Sequence, residues 1–339
     1  MNTHYLDTPA TPEVDRSMWL VAFGVVLLCF GGLCALLTAM MIVMAFAVVV
    51  MGPQAVQQGL QVGPMVTGAL VYGVLAGWLI SMGYGSLKAR RWARSLVVAT
   101  SWLGLVCGGA GTISMLFMGD VFKAMEGKEA GQVPPGLGQI MYSVMIATML
   151  TLYVIIPGIL LLFYSGRNVK ATCEFRNPNP SWTDAVPMPI LIQTIVLAFY
   201  AVGILSMAGY RFATPFFGMT LTGYPGAIAI LSISLCCAFL ARGCYRLQPM
   251  AWWGTVAVIL FWGTSAFVTF LWGNIMEFYA AMGMPEVQLE MLRPMVEGGA
   301  MQTFLLWATP LWLVCILGFF VYTKRYFVGQ NEDGVNAVD

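Results

Sequence analysis

The sequence predicts an all-α integral membrane protein, with eight transmembrane helices arranged as two parallel four-helix tandem repeats. Three observations carry this. Apolar residues make up 59% of the 339 positions and charged residues only 9%, with a mean hydropathy of +0.81. A soluble domain usually carries about 25% charged residues, so a chain this poor in charge needs lipid as its solvent. Residues 17–87 contain no Lys, Arg, Asp, Glu or His; a span takes roughly 20 mainly apolar residues, so that stretch has room for two spans and a turn. The remaining apolar runs then recur at matching spacing in the two halves of the chain.

Taken in order, residues 1–17 form an N-terminal tail. Its first sixteen residues hold three acids and one Arg, unlike the basic start and short apolar core of a signal peptide. Spans are expected at about 18–51, 66–87, 95–118, 139–165, 188–209, 225–242, 251–275 and 301–323. The first exceeds a simple span, so it is either a tilted helix or an interfacial segment over Met18 to Leu28 leading into one. Domain limits follow: 18–168 for the first repeat, 169–187 for a connector, 188–326 for the second repeat, and 327–339 for a C-terminal tail.

Orientation comes from Lys and Arg in short loops. One side collects Arg16, Lys88, Arg90, Arg91, Arg94, Arg167, Lys170, Arg176, Arg242, Arg246, Lys324 and Arg325; the other has Lys123, Lys128, Arg211 and Arg293. The richer side is expected to be cytoplasmic, which places both termini inside and requires an even number of spans. The two halves overlay at an offset of 158. Gly85 then meets Gly243, Lys88 meets Arg246, Ala93 meets Ala251, Met118 meets Met276, and Tyr164-x-x-Arg167 meets Tyr322-x-x-Arg325. Four spans return the chain to its starting side, so the repeats are parallel and not inverted. Similar hydropathy spacing arising by chance is the plainer alternative.

The connector region, SGRNVKATCEFRNPNPSWTDAVPMP at 165–189, is the most distinctive stretch. Asn177-Pro178-Asn179-Pro180 reads as extended or turn-like. Ser181-Trp182-Thr183-Asp184 reads as a cap for the following helix, with Pro187 near its first turn. From Phe163 to Ile192 this resembles the segment FY…VKATCE…P-x-P-x-WTD…P-x-P that joins two helical blocks in a group of bacterial multi-span membrane proteins. The resemblance implies a bacterial inner-membrane protein and brings no activity with it.

Several chemistries are excluded. His4, in the tail, is the only histidine, so bis-His haem ligation, histidine-bearing zinc sites and Ser-His dyads within the membrane lack their imidazole. No ionisable residue falls near the centre of a span, which disfavours a proton or ion relay; backbone carbonyls at helix breaks near Pro157 or Pro310 are the remaining route for Na⁺, and a simple kink is the plainer reading. The eight cysteines avoid the external loops and read as small apolar packing residues. Net charge is +1, which gives no case for nucleic acid. No cofactor or catalytic set is expected.

Three groups of residues stand out. Lys88, Arg90, Arg91, Trp92 and Arg94, with Arg246 in the second half, suit anionic headgroups on the cytoplasmic side, each charge worth about 1 kcal/mol near the surface. Gly73 and Gly77, and Gly104 and Gly108, have the small-x-x-x-small spacing of close helix contacts; these pack within the chain or against a partner membrane subunit or a second copy. Asp120, Glu126 and Glu277 are carboxylates at or beyond the outer ends of spans. Met276, Met282, Met284, Met291, Met295 and Met301 cluster around the last outer loop; thioethers suit Cu(I), but gap-filling is the plainer role. Glu286 to Glu297 reads as a short amphipathic helix.

Three functions follow. The first is a non-enzymatic membrane protein that associates with partner subunits or lipids. The second is a transporter or channel for a weakly polar or lipidic solute, its path between the repeats and lined by side chains such as Thr67, Tyr72, Ser81, Ser114, Thr148, Thr151, Ser232, Ser234, Thr264 and Thr269. The third is an enzyme on a lipid substrate using Asp120, Glu126, Glu277 or the basic loop, and no paired nucleophile and base supports it.

Overall fold

The computed structural model describes residues 14–52, 60–116, 136–297 and 299–335. Among these, eight helices are long and apolar enough to cross a membrane: Ser17–Met51, Val62–Leu87, Arg91–Met115, Gly138–Tyr164, Met188–Tyr210, Gly223–Tyr245, Pro249–Trp272 and Leu305–Phe327. Each coincides with an expected span to within a few residues. The protein is a polytopic helical membrane protein with almost no sheet. The first apolar run is one continuous helix, Ser17–Met51, with no break after Leu28.

In chain order the elements are α1 (Ser17–Met51), α2 (Val62–Leu87), α3 (Arg91–Leu103, continuing through Gly109–Leu116), α4 (Leu137–Leu150, continuing through Ile156–Tyr164), α5 (Arg167–Arg176) and α6 (Met188–Gly203). A short hairpin, β1 (Thr214–Phe216) and β2 (Met219–Leu221), precedes α7 (Gly223–Tyr245), α8 (Pro249–Trp272), α9 (Ile275–Ala281), α10 (Glu286–Glu297) and α11 (Ala300–Val335). The expected amphipathic helix is α10, with the same limits. By packing, the chain forms two compact units, Met1–Gly31 with Trp78–Met188, and Gly32–Gly77 with Pro189–Asp339. The first two helices therefore contribute to both.

In the first unit, α1 and α2 meet backbone to backbone. A Cβ on Gly24 would lie 3.0 Å from the Gly83 carbonyl oxygen, and one on Gly83 would lie 2.9 Å from that of Gly24. Glycine permits this approach because dispersion and close contact, rather than burial from water, hold helices together in lipid. The α3 and α4 segments are matched in another way. Each widens to a π turn, over Gly104–Gly108 and Thr151–Ile155. Pro157, just after the second, has no N–H and would clash with the carbonyl four residues back in a regular helix; widening the turn relieves this. Gly104 faces Pro157, and Gly108 lies against Tyr153 so closely that a Cβ there would overlap it.

The second unit also has glycine contacts. A side chain at Gly63 or Gly209 would strike the other residue's backbone, and beside them the Thr67 hydroxyl donates to the Ser206 carbonyl at 2.7 Å. The β1–β2 hairpin was absent from the expected elements. Phe216 pairs with Met219 across a two-residue turn, and both turn residues, Phe217 and Gly218, have positive φ (42° and 90°), as a type I′ turn requires. Its backbone is held by α8. Phe217 N–H donates to Ser265 Oγ and Gly218 N–H to Thr269 Oγ1, both at 3.0 Å, and Ser265 Oγ donates to the Pro215 carbonyl at 3.1 Å. Phe216 and Phe217 pack on Phe261 and Trp262 of the same helix. Ser265 lies seven residues before the end of α8, about 10 Å down its axis at 1.5 Å per residue. Non-helical backbone beside a span needs its polar groups satisfied by protein, and two buried hydroxyls do so here.

Candidate functional site

The basic ends of the two units are built on the same turn. In the first unit, α2 ends at Leu87; Ala89 then takes φ 48°, its N–H donates to the Ser86 carbonyl at 2.9 Å and the Arg90 N–H to that of Gly85 at 2.8 Å. In the second unit, Leu247 takes φ 54°, its N–H donates to the Cys244 carbonyl at 2.9 Å and the Gln248 N–H to that of Gly243 at 3.0 Å. This is the paired bonding that closes a helix with a left-handed residue after it. A Cβ on Gly85 would sit 2.5 Å from the Ala93 Cβ, and one on Gly243 would sit 2.6 Å from that of Ala251. All of these positions correspond at the offset of 158.

The cations at the two ends have different partners. In the first unit Arg91 Nε lies 3.0 Å from Asp184 Oδ2 and Nη2 lies 3.7 Å from Glu174 Oε1, while Nη1 donates to the Pro178 carbonyl at 3.3 Å. One guanidinium thus gathers α5, the Asn-Pro run and the Trp182–Asp184 turn. Arg94 Nε donates to the Tyr164 carbonyl at 3.0 Å, and the Tyr164 hydroxyl donates to Ser86 Oγ at 2.8 Å. Lys170 pairs with Glu174 at 3.8 Å and Arg176 with Asp15 at 3.3 Å. The Ser17 backbone N–H and hydroxyl, with Arg176, hold the Asp15 carboxyl below its ordinary range. Cys173 is buried beneath this network, and desolvation pushes its thiol up to about 11 against the pull of Arg94.

Ser181 caps differently from expectation. It closes the three-residue turn Trp182–Asp184 in a reciprocal box with Asp184, not α6. Pro187 intervenes and disfavours helix at Val186, so α6 begins afresh at Met188.

In the second unit, Arg242 and Arg246 are exposed and make no ion pair among the described residues. Lys324 Nζ lies over Trp252 and Trp253, 5.6 and 5.3 Å from the ring centroids. The Arg325 guanidinium carbon lies over Tyr322 and Tyr326 at 4.1 and 4.8 Å. Trp252 Nε1 donates to the Phe320 carbonyl at 3.0 Å, fixing α8 to α11 at this end. Met250 is 82% exposed and Trp253 58%, so cations, aromatic rings and an outward methionine share one rim.

The other expected residues fall as follows. Lys88 is exposed, 6.0 Å from the Tyr84 ring centroid, and Arg90 is exposed. Trp92 is half-buried against Gly85. A Cβ placed on Gly73 would lie 3.5 Å from Thr38 Cγ2, and one placed on Gly77 would meet no atom of another element within 4 Å; Gly104 and Gly108 bring α3 against α4. Glu277 is exposed and accepts from Asn274 Nδ2 at 3.3 Å in the first turn of α9. Asp120 and Glu126 lie outside the described residues. Several hydroxyls from the expected solute path donate to main-chain carbonyls: Ser114 to Ala110, Thr148 to Val144, Thr151 to Ala147 and Ser234 to Ala201.

A cavity of about 390 Å³ lies in the second unit, at the end away from the basic rim. Met41, Met44, Met65, Met282 and Met284 line it, with the amides of Gln61 and Gln288 and the ring of Tyr210. Gln61 Nε2 donates to the Gly283 carbonyl at 2.8 Å. The sequence singled out Met282 and Met284 but gave no sign that Met41, Met44 and Met65, far away in the chain, join them. A scan against family models, a search of curated proteins and a search of solved structures find no significant match to this chain.

Proposed function

We propose that this is a non-enzymatic membrane protein that binds anionic lipid headgroups at the basic rim of its second unit, in a bacterial inner membrane with both termini cytoplasmic. One observation carries the reading. In the first unit Arg91, Lys170 and Arg176 are neutralised by Glu174, Asp184 and Asp15, and only Lys88, Arg90 and Arg167 stay exposed without an ion pair among the described residues. At the rim of the second unit, by contrast, Arg242, Arg246, Lys324 and Arg325 all face no carboxylate in any ion pair among the described residues, and Lys324 and Arg325 lie over Trp252, Trp253, Tyr322 and Tyr326. Exposed cations with Trp and Tyr beside them match the headgroup level of a bilayer. The recurrence of the turn at an offset of 158 supports a tandem-repeat origin in which Arg91 and Arg94 of one basic end became tied to protein groups while the cations of the other end stayed free of ion pairs among the described residues.

The test is thermal unfolding in detergent with added phosphatidylglycerol or phosphatidylcholine. The wild type gains several degrees from the anionic lipid and little from the zwitterionic one. Arg242→Gln with Arg246→Gln loses most of that difference, while Lys88→Gln with Arg90→Gln loses less. Equal gains from both lipids would overturn the reading. A second reading, passage of a lipidic solute, draws on the cavity of the second unit; uptake of such a solute by vesicles holding this chain alone, above that of empty vesicles, would replace the first.

A further inference from the structure

The methionine-lined cavity goes beyond the headgroup reading and does not depend on it. Its walls come from four stretches of chain: the last turns of α1 (Met41, Met44), the start of α2 (Gln61, Met65), Tyr210 beyond α6, and the segment joining α9 to α10 (Met282, Met284). None of the lining residues is charged. Charges of both signs flank the lining residues. The Arg211 side chain lies over Gly283, where a Cβ would meet its Nε at 2.7 Å, and Glu286 follows the lining residue Pro285. A site with apolar walls, hydrogen-bonding amides and balanced charge nearby favours an uncharged ligand.

Size and side-chain type narrow the class. A volume of about 390 Å³ falls in the range of organic-ligand pockets, roughly 300–1,000 Å³, and is far more than a single soft cation fills. Unbranched thioether side chains adapt to irregular apolar shapes, so five of them suit a flexible hydrocarbon better than a rigid ring system. The Gln61 amide is already oriented by its bond to the Gly283 carbonyl, which leaves its oxygen as an acceptor for a ligand hydroxyl. We propose that this cavity binds a neutral single-chain amphiphile, an apolar chain bearing an uncharged hydroxyl head, such as a monoacylglycerol or long-chain alcohol.

The experiment uses the full chain in proteoliposomes with a diazirine-bearing monoacylglycerol, and maps photocrosslinks by mass spectrometry. Crosslinks should concentrate on the peptides holding Gln61–Met65 and Met282–Gln288, and excess unlabelled monoacylglycerol should reduce them at least fivefold while labelling of the exposed faces of α7 and α11 persists. Met65→Phe and Met284→Trp, which fill the space, should each reduce cavity labelling several-fold. A diazirine fatty acid of equal chain length should label the cavity several-fold less. Labelling spread evenly over the exposed helix faces, without competition, overturns the proposal on the wild-type chain alone. Equal labelling by the fatty acid overturns the uncharged class, and protection by stoichiometric Ag(I) assigns the thioethers to a soft metal instead.

Discussion

Arg91 holds three pieces of the connector because a planar guanidinium offers several donors in a fixed fork. Its contacts to Asp184 and Glu174 are half-buried and that to the Pro178 carbonyl is exposed, so their joint loss is expected to cost about 1–3 kcal/mol. Arg91→Gln should speed amide exchange over residues 177–187, and Arg91→Lys should recover less than half of the protection, since an ammonium cannot span the same partners. Unchanged exchange would show the connector to be held by other contacts. Cys173 gives a second check at this scale. Its folded-state value is raised from 9.0 to about 11 by burial, so its contribution is fully present below pH 9 and is lost as pH rises toward 11. The wild type should therefore lose up to about 3 kcal/mol across that window relative to Cys173→Ala. Maleimide should leave Cys173 unmodified at neutral pH until the protein unfolds.

Among the elements, the hairpin and the helix-ending turn rest on local backbone requirements. Ser265 and Thr269 satisfy the N–H groups of Phe217 and Gly218. Ser265→Ala with Thr269→Ala leaves both donors without those partners, at about 1–3 kcal/mol each, and exchange of the peptide 212–222 should rise ahead of the rest of the second unit. Exchange that rises only with global unfolding would contradict this. The turn after α2 holds Ala89 at φ 48°, a region costing a residue with a Cβ about 1–2 kcal/mol. Ala89→Gly should raise thermal stability, since Ala89 is small and no bond of the turn uses its side chain; lower stability would show that its methyl contact outweighs the strain. The hairpin was less legible in the sequence than the spans. Its strands are three residues each and their partners are hydroxyls some fifty residues on, so only the Phe-Gly pair between short β-prone runs signalled it. The spans depend on composition within one window, which is why their limits were legible to a few residues.

For the whole molecule, charge and hydropathy define which segments enter lipid, but not which polar groups meet inside each unit. The basic loop Lys88 to Arg94 read as a single headgroup site. In the fold Arg91 and Arg94 hold protein groups while Lys88 and Arg90 remain exposed, because the acids that partner Arg91 lie in the connector some eighty to ninety residues away. That no carboxylate pairs with Arg242 or Arg246 among the described residues was equally illegible, since it depends on how distant segments fold. The cavity methionines likewise come from both ends of the chain. An even number of spans also predicts that reporters fused to the two termini respond from the same side of the membrane; opposite responses would reduce the spans to an odd number.

Binding of lipid headgroups at the basic rim of the second unit can be read by native mass spectrometry of the protein released gently from its own membrane. The intact chain should carry anionic phospholipid at a reproducible stoichiometry, reduced in the Arg242→Gln, Arg246→Gln variant. A chain free of anionic lipid, or one whose bound lipid is unaffected by that variant, would contradict binding at this rim.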